Sequence, residues 1–324
     1  PLALPDLDAD VWVAVTVHQA EATAWADAGF VVARGQVRVR EESSVEAAGV
    51  APQSVDRRVR VGPALLDAAD GHLVEIGGLA VESFGIQLWR APTDNDQLGS
   101  RHEAAASIWR AAGLHRLQQR TIGVDVRADE VVVRTRVAPP TQRFALDLTT
   151  TWSADGESVQ VRVDVDPTGT WPSTIPRLGL AMALPGSLTD VEWLGLGPGE
   201  SYPDSLEGVH PGRFTSSVAA MSTPYVRPQE NGHRSGVRWA RLSGADRSLT
   251  LTGTPDLGLT TMPWSVTALT AADHTGDLVP DGRTWLYLDH AQHGLGSHAC
   301  GPDVLPPFVL APTATSFTLV LRAG

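Results

Sequence analysis

Val159-Gln160-Val161-Arg162-Val163-Asp164-Val165 places a valine at every second position, with one polar residue between each pair. Successive side chains of an extended chain point to opposite faces, so this segment has one apolar and one wetted face. Valine's branched Cβ also suits pleated backbone. Further strand candidates extend outward in both directions. Toward the N-terminus they are Phe144–Thr151, Val131–Val137, Ile122–Val126, Leu73–Ile76 and Arg58–Val61. Toward the C-terminus they are Gly179–Ala183, Val191–Leu196, Val237–Arg241, Ser248–Thr252, Ser265–Leu269, Trp285–Leu288 and Ser316–Leu321. Arg101–Gly113 alone reads as a short helix, closed by its glycine. So many strands with one helix exclude a helical bundle, a doubly wound sheet and a barrel of alternating strands and helices. The expectation is an all-β protein built on a large antiparallel sandwich, with 23 prolines and 31 glycines at its turns and edges.

The first 42 residues read differently. Val11, Val13, Val15 and Val17 alternate with Trp12, Ala14, Thr16 and His18, a half-buried strand pattern. Phe30–Ala33 and Gln36–Arg40 give a second strand after the turn-rich Glu21–Gly29 connection. Two strands cannot build a core of their own. Residues 1–42 are therefore expected to be the closing part of a domain, 43–54 a polar, alanine-rich linker, and 55–324 the main domain.

Composition narrows the function classes. The 324-residue chain is 42% hydrophobic, enough for a real core. Its formal charge is -12, with 25 arginines, no lysine and 37 acids. That balance repels nucleic acid and anionic membrane surfaces. No apolar run is long enough to span a bilayer, and no signal-peptide pattern opens the chain. The lone cysteine, Cys300, rules out an internal disulfide framework and fits either a reducing compartment or a simple absence of need for one; the expected location is the cytoplasm. Ten tryptophans admit sugar stacking without establishing it.

The densest run of directional groups is Leu88-Trp89-Arg90-Ala91-Pro92-Thr93-Asp94-Asn95-Asp96-Gln97-Leu98-Gly99. Asp94 and Asp96 invite an acid/base reading, but glycosidic chemistry needs two carboxylates facing each other across a sugar, roughly 5 to 9.5 Å apart. Neighbours on one loop do not face each other in that way. Asp94, Asn95 and Asp96 are expected instead to cap turns and backbone, with Arg90 holding one carboxylate as a bidentate pair.

Four further segments complete a pattern: Pro176-Arg177-Leu178-Gly179-Leu180; Trp193 to Asp204 (WLGLGPGESYPD); Tyr225 to Arg234 (YVRPQENGHR); and Trp285 to Gly296 (WLYLDHAQHGLG). With Arg90–Gly99, in this order and spacing, the chain from Arg57 onward resembles the C-terminal domain of the large bacterial β-galactosidases of glycoside hydrolase family 2. The first 42 residues resemble the closing strands of the immunoglobulin-like domain that precedes it. The resemblance implies a supersandwich of the galactose-mutarotase type after a partial immunoglobulin-like sandwich. It implies a parent enzyme that hydrolyses terminal β-D-galactosides, with both catalytic glutamates on a barrel outside this sequence. The chain is then expected to be inactive alone and to partner that barrel, other domains or subunits, and a galactoside, within a homo-oligomeric parent. No cofactor is implied here; any Mg2+ or Na+ of the parent belongs to other domains. Trp285 is implied as the sugar-stacking platform, with Arg90, Asp94, Asn95, Asp96, Asp289 and His290 at the rim or behind it.

Each of these residues also has a plainer reading. A strand tryptophan such as Trp285 is ordinarily core, although its place after Asp281-Gly282-Arg283-Thr284 sets it near a sheet edge. Truncating a stacking anchor costs roughly 2 kcal/mol or more. Glu200, Tyr202, Asp204, Glu230, Asn231 and Arg234 read as loop anchors and barrel contacts. His290, His293, His298 and Cys300 match no zinc spacing, and Cys300 reads as a small buried hydrophobe. A free-standing carbohydrate-binding module and an aldose 1-epimerase are the rival functions, although the epimerases' histidine and glutamate find no match in the sequence.

Overall fold

The computed structural model describes residues 11–40, 49–100 and 103–324. The chain forms two compact units, residues 1–48 and 49–324. Strand accounts for 49% of the chain and helix for 10%, so the all-β expectation stands.

In the first unit, β1 (Val11–His18) pairs antiparallel with β2 (Val31–Arg40). The expected half-buried alternation is absent: Val11 is buried, but Val15, Val17, Val32, Val37 and Val39 are exposed. A two-stranded ribbon has no facing layer among the described residues of this unit, so neither face is covered.

The second unit opens with a five-stranded meander: β3 (Gln53–Val55), β4 (Arg58–Val61), β5 (Ala64–Asp67), β6 (Leu73–Ile76) and β7 (Leu79–Ala80). The reading of 43–54 as linker needs correction at its end, because Gln53 and Ser54 pair with Arg60 and Val59; residues 43–48 lie outside the described residues. Then follow β8 (Glu82–Gln87), β9 (Gln118–Val126), β10 (Glu130–Ala138), β11 (Ala145–Ala154), β12 (Ser158–Thr168) and β13 (Arg177–Pro185). The last six are β14 (Asp190–Gly197), β15 (His210–Ser217), β16 (Arg234–Ser243), β17 (Ser248–Met262), β18 (Arg283–Gln292) and β19 (Thr315–Ala323). They form one antiparallel sheet ordered β15-β14-β16-β17-β19-β12-β11-β10-β9, to which β18, β13 and β8 are joined through β17.

The opening valines sit where the pattern puts them. Val159, Val161 and Val163 are fully buried, opposite Ala154, Trp152 and Thr150 on one side and Leu321, Leu319 and Phe317 on the other. β17 is the corner of the architecture. Its first half pairs with β19, and after Thr254-Pro255 its second half pairs with β18. One strand thereby feeds two parts of the sheet, and the sheet curls around a core that contains Trp109, Trp152 and Trp193.

Among the described residues, three short α-helices interrupt the strands: α1 (Asp94–Gln97), α2 (Ala105–Ala112) and α3 (Val266–Ala271). α2 lies within the expected Arg101–Gly113 helix and ends at Gly113 in the left-handed region, φ 82°; Arg101 and His102 lie outside the described residues. The expectation of a strand over Ser265–Leu269 is overturned. Ser265 caps α3 by accepting from the Ala268 amide, and Val266 and Leu269 bury one helical face at i, i+3.

Candidate functional site

Arg90 and Arg177 are fully buried, and two polar centres form around them. At the first, Arg90 Nε and Nη2 donate to Asp96 Oδ2 (3.2 Å) and Oδ1 (2.7 Å), the expected bidentate pair. Asp96 also accepts from the Thr93 amide (2.8 Å), while Thr93 Oγ1 accepts from the Asp96 amide (3.2 Å). This reciprocal capping box turns the chain into α1. Both Asp96 oxygens are thus spent on structure.

The other face of Arg90 grips a distant loop. Nη1 donates to the His293 carbonyl (2.6 Å) and Nη2 to the Gly294 carbonyl (3.0 Å). Asn95 clamps the same loop, donating to the Gly296 carbonyl (2.8 Å) and accepting from the Ala299 amide (3.0 Å). Asp204 accepts from the Leu295 and Gly296 amides at 3.0 and 2.7 Å. Arg90, Asn95 and Asp204 therefore each place two hydrogen bonds on the backbone between His293 and Ala299. His293 packs edge-on against Trp109 and accepts from the Leu310 amide at 3.0 Å. Burial, reinforced by Arg90, pushes its imidazole down to about 4. Asp94 stays exposed and exchanges two hydrogen bonds with Gln229.

Cys300 follows this segment and is exposed, which corrects its reading as a buried hydrophobe. Among the described residues, no group of three or more His, Cys, Asp and Glu is arranged to hold a metal ion.

At the second centre, Arg177 Nε and Nη2 donate to Asp289 Oδ1 (2.9 Å) and Oδ2 (2.6 Å), and Nη1 lies 3.5 Å from Glu230 Oε2. Burial alone would lower the Arg177 pKa, but the two carboxylates raise it above its ordinary value. Burial raises Glu230, against the pull of Arg177. Asp289 is 1% exposed, with both carboxylate oxygens turned toward Arg177. Half-buried His290 stacks on Phe317 at 5.2 Å and 11°, with Nε2 2.9 Å from Thr315 Oγ1.

Trp285 is not part of either centre. It shares the β18 face of Tyr287 and Asp289, but four residues separate it from Asp289, about 13 Å along a strand. Its indole Nε1 donates to Asp281 Oδ2 (2.9 Å), and it lines a cleft of about 340 Å³ with Ser83, Gly85, Gln119 and Thr267. The structure thus joins Arg90, Asn95 and Asp96 in one corner, with Asp94 beside them, and puts Trp285 elsewhere. Asp204 and Arg177 carry more of the architecture than sequence spacing indicates. The usable signal was an arginine opening the apolar Leu178–Leu184 run, since a charge at a buried strand needs a partner.

No helix among the described residues is long and apolar enough to cross a membrane. The chain is similar to the β-galactosidase of Arthrobacter sp. (strain B7), 35% identical over 357 residues, covering 100% of this chain and 34% of that protein. It is 34% identical over 331 residues to the β-galactosidase of Lactobacillus delbrueckii subsp. bulgaricus, covering 98% of this chain and 32% of that one. The chain therefore spans about a third of the length of the curated relatives it matches. Among solved structures, a galactose mutarotase-like protein from Clostridium acetobutylicum has a TM-score of 0.41 at 8% identity, covering 82% of this chain and 94% of that one. An alpha-mannosidase from Enterococcus faecalis V583 has a TM-score of 0.44 at 10% identity, covering 98% and 36%. Residues 1–40 match the family model of β-galactosidase domain 4, and residues 63–321 match that of the β-galactosidase small chain. The chain belongs to the β-galactosidase small-chain family.

Proposed function

We propose that this chain is the C-terminal part of a β-galactosidase that hydrolyses terminal non-reducing β-D-galactosides with retention, and that it supplies an active-site rim. The observation that supports a rim is the corner itself, where Arg90, Asn95 and Asp204 fix the backbone of a partly exposed loop by two hydrogen bonds each. A preset loop meets a substrate or a neighbouring domain without a large ordering cost.

The reacting carboxylates belong to the rest of the parent. Retention needs two carboxyl groups about 5 to 5.5 Å apart and open to a sugar. The buried carboxylates Asp96, Asp289 and Glu230 are all turned toward Arg90 or Arg177. The partners in this reading are the catalytic barrel, the remaining domains and a galactoside, in an oligomeric parent; any Mg2+ or Na+ sits in those other domains. An exposed lone thiol, Cys300, fits a reducing cytoplasm. The test is turnover of a nitrophenyl-β-galactoside by the purified chain: none is expected, and any turnover proportional to chain concentration would overturn the assignment.

A platform role for Trp285 is the second reading, supported by its half-buried ring at the wall of the 340 Å³ cleft. Trp285 shares no hydrogen bond with the Arg90 corner among the described residues, so variants at the two places separate the readings. In the assembled parent, Trp285→Ala should raise KM if the platform reading holds, and leave kcat and KM unchanged if the corner alone borders the substrate.

A further inference from the structure

A separate cleft of about 260 Å³ lies between Pro203 and Leu206 on one side and strands β16, β17 and β18 on the other, with His233, Asp289 and Gln292 among its lining. The hydrogen bonds beneath it hold one imidazole. Gln292 Nε2 stands 3.3 Å from Glu230 Oε1, 3.1 Å from Asp289 Oδ2 and 3.2 Å from His233 Nδ1. Flipping the amide would set its oxygen against two carboxylates, so the nitrogen must point inward. His233 Nδ1 also lies 3.2 Å from Thr260 Oγ1 and 3.5 Å from Asp289 Oδ2, so either ring nitrogen can carry the proton, and Nε2 can donate or accept. Burial pushes the imidazole down to about 4, so the ring is neutral at pH 7.

The Cε1–Nε2 edge of His233 lies against Gly258, which also lines the cleft. A Cβ at Gly258 would fall 2.1 Å from Cε1 and 2.7 Å from Nε2, so only glycine leaves the ring this position. Arg177 faces two carboxylates, Asp289 and Glu230, and Asp256 at the rim meets Arg238 at 4.0 Å. Pro203, Leu206, Leu257 and Ala291 supply apolar wall. A neutral imidazole, apolar sides and an excess of buried carboxylate disfavour an anion and suit a small uncharged molecule carrying both C–H surface and hydroxyl groups. The volume is below the roughly 300–1,000 Å³ of pockets for larger ligands, which points to one sugar ring rather than a chain.

We propose that this cleft binds a neutral polyol of monosaccharide size, with a hydroxyl hydrogen-bonded to His233 Nε2. The proposal is independent of the galactosidase reading. The test is NMR titration of the full 324-residue chain with galactose, with the His233 ring signals assigned by their loss in His233→Phe. A saturable shift of those signals is expected, at least tenfold weaker in affinity in Ala291→Phe, which fills the half-exposed cleft wall. Arg162→Ala, at an exposed ion pair on β12, should titrate like the unaltered chain. No saturable shift, an undiminished shift in Ala291→Phe, or a response to phosphate in place of galactose would each overturn the proposal. Ala291→Phe should keep the near-ultraviolet circular dichroism of the unaltered chain; if it does not, Leu206→Trp at the opposite, exposed wall makes the same block, and an undiminished shift there overturns the proposal equally.

Discussion

Replacing Asp96 with alanine removes both acceptors of the buried Arg90 fork and the acceptor of the Thr93 amide. Breaking a buried pair by deleting one partner costs about 3–5 kcal/mol, because the surviving charge keeps its desolvation penalty. Arg90 retains the His293 and Gly294 carbonyls, so the loss should lie near the lower end of that range. A domain's whole stability is about 5–15 kcal/mol, so the shift in a urea unfolding curve is large. Arg90→Met should be similarly costly, since it leaves the Asp96 carboxylate without its guanidinium. The double variant removes both charges and should lose clearly less than the sum of the singles. An Asp96→Ala cost below about 1 kcal/mol, or strict additivity in the double variant, would refute the claim that this pair organises the corner.

Asn95→Ala should cost about 1 kcal/mol and Asp204→Ala about 1.5–3 kcal/mol, with faster hydrogen exchange at the Leu295 and Gly296 amides in the second; unchanged exchange would argue against the clamp. His233 and His293 both have folded-state values near 4 against an unfolded value near 6.5, so the unfolded chain binds more protons between those limits. Stability should therefore fall as pH drops from about 6.5 to 4, by on the order of 3 kcal/mol per histidine, and a flat urea midpoint across that window would contradict their burial as neutral rings. Gly179→Ala would put a Cβ 2.4 Å from the Leu288 carbonyl oxygen and 2.6 Å from Asp289 Cα, so the unfolding midpoint should drop by about 1–3 kcal/mol or more. Trp193→Ala, at a fully buried ring, should cost about 3–5 kcal/mol in the same assay.

What was legible in the sequence follows the range of the interactions. Val159–Val165 announces its strand because its burial is written in a two-residue period. β15 escaped notice because His210–Ser217 is an edge strand with little apolar alternation. Ser248–Thr252 was found, but β17 runs on to Met262, since Gly253-Thr254-Pro255-Asp256 breaks the alternation where the strand changes partner. Ser265–Leu269 has β-branched residues and so imitates a strand, while its i, i+3 burial makes it a helix. The Arg90–Asp96 pair was readable because six residues separate its members. The Arg177–Asp289 pair spans 112 positions, and the Arg90 contact to His293 spans 203, so only the folded chain brings them together.

The most direct measurement combines this chain with a separately produced portion of the Arthrobacter relative that carries the rest of that β-galactosidase, and follows nitrophenyl-β-galactoside hydrolysis. The account expects each part alone to be silent, the mixture to turn over substrate, and Asp204→Ala in this chain to weaken that recovery. Hydrolysis by this chain alone, or a mixture whose rate ignores the Arg90, Asn95 and Asp204 corner, would contradict it.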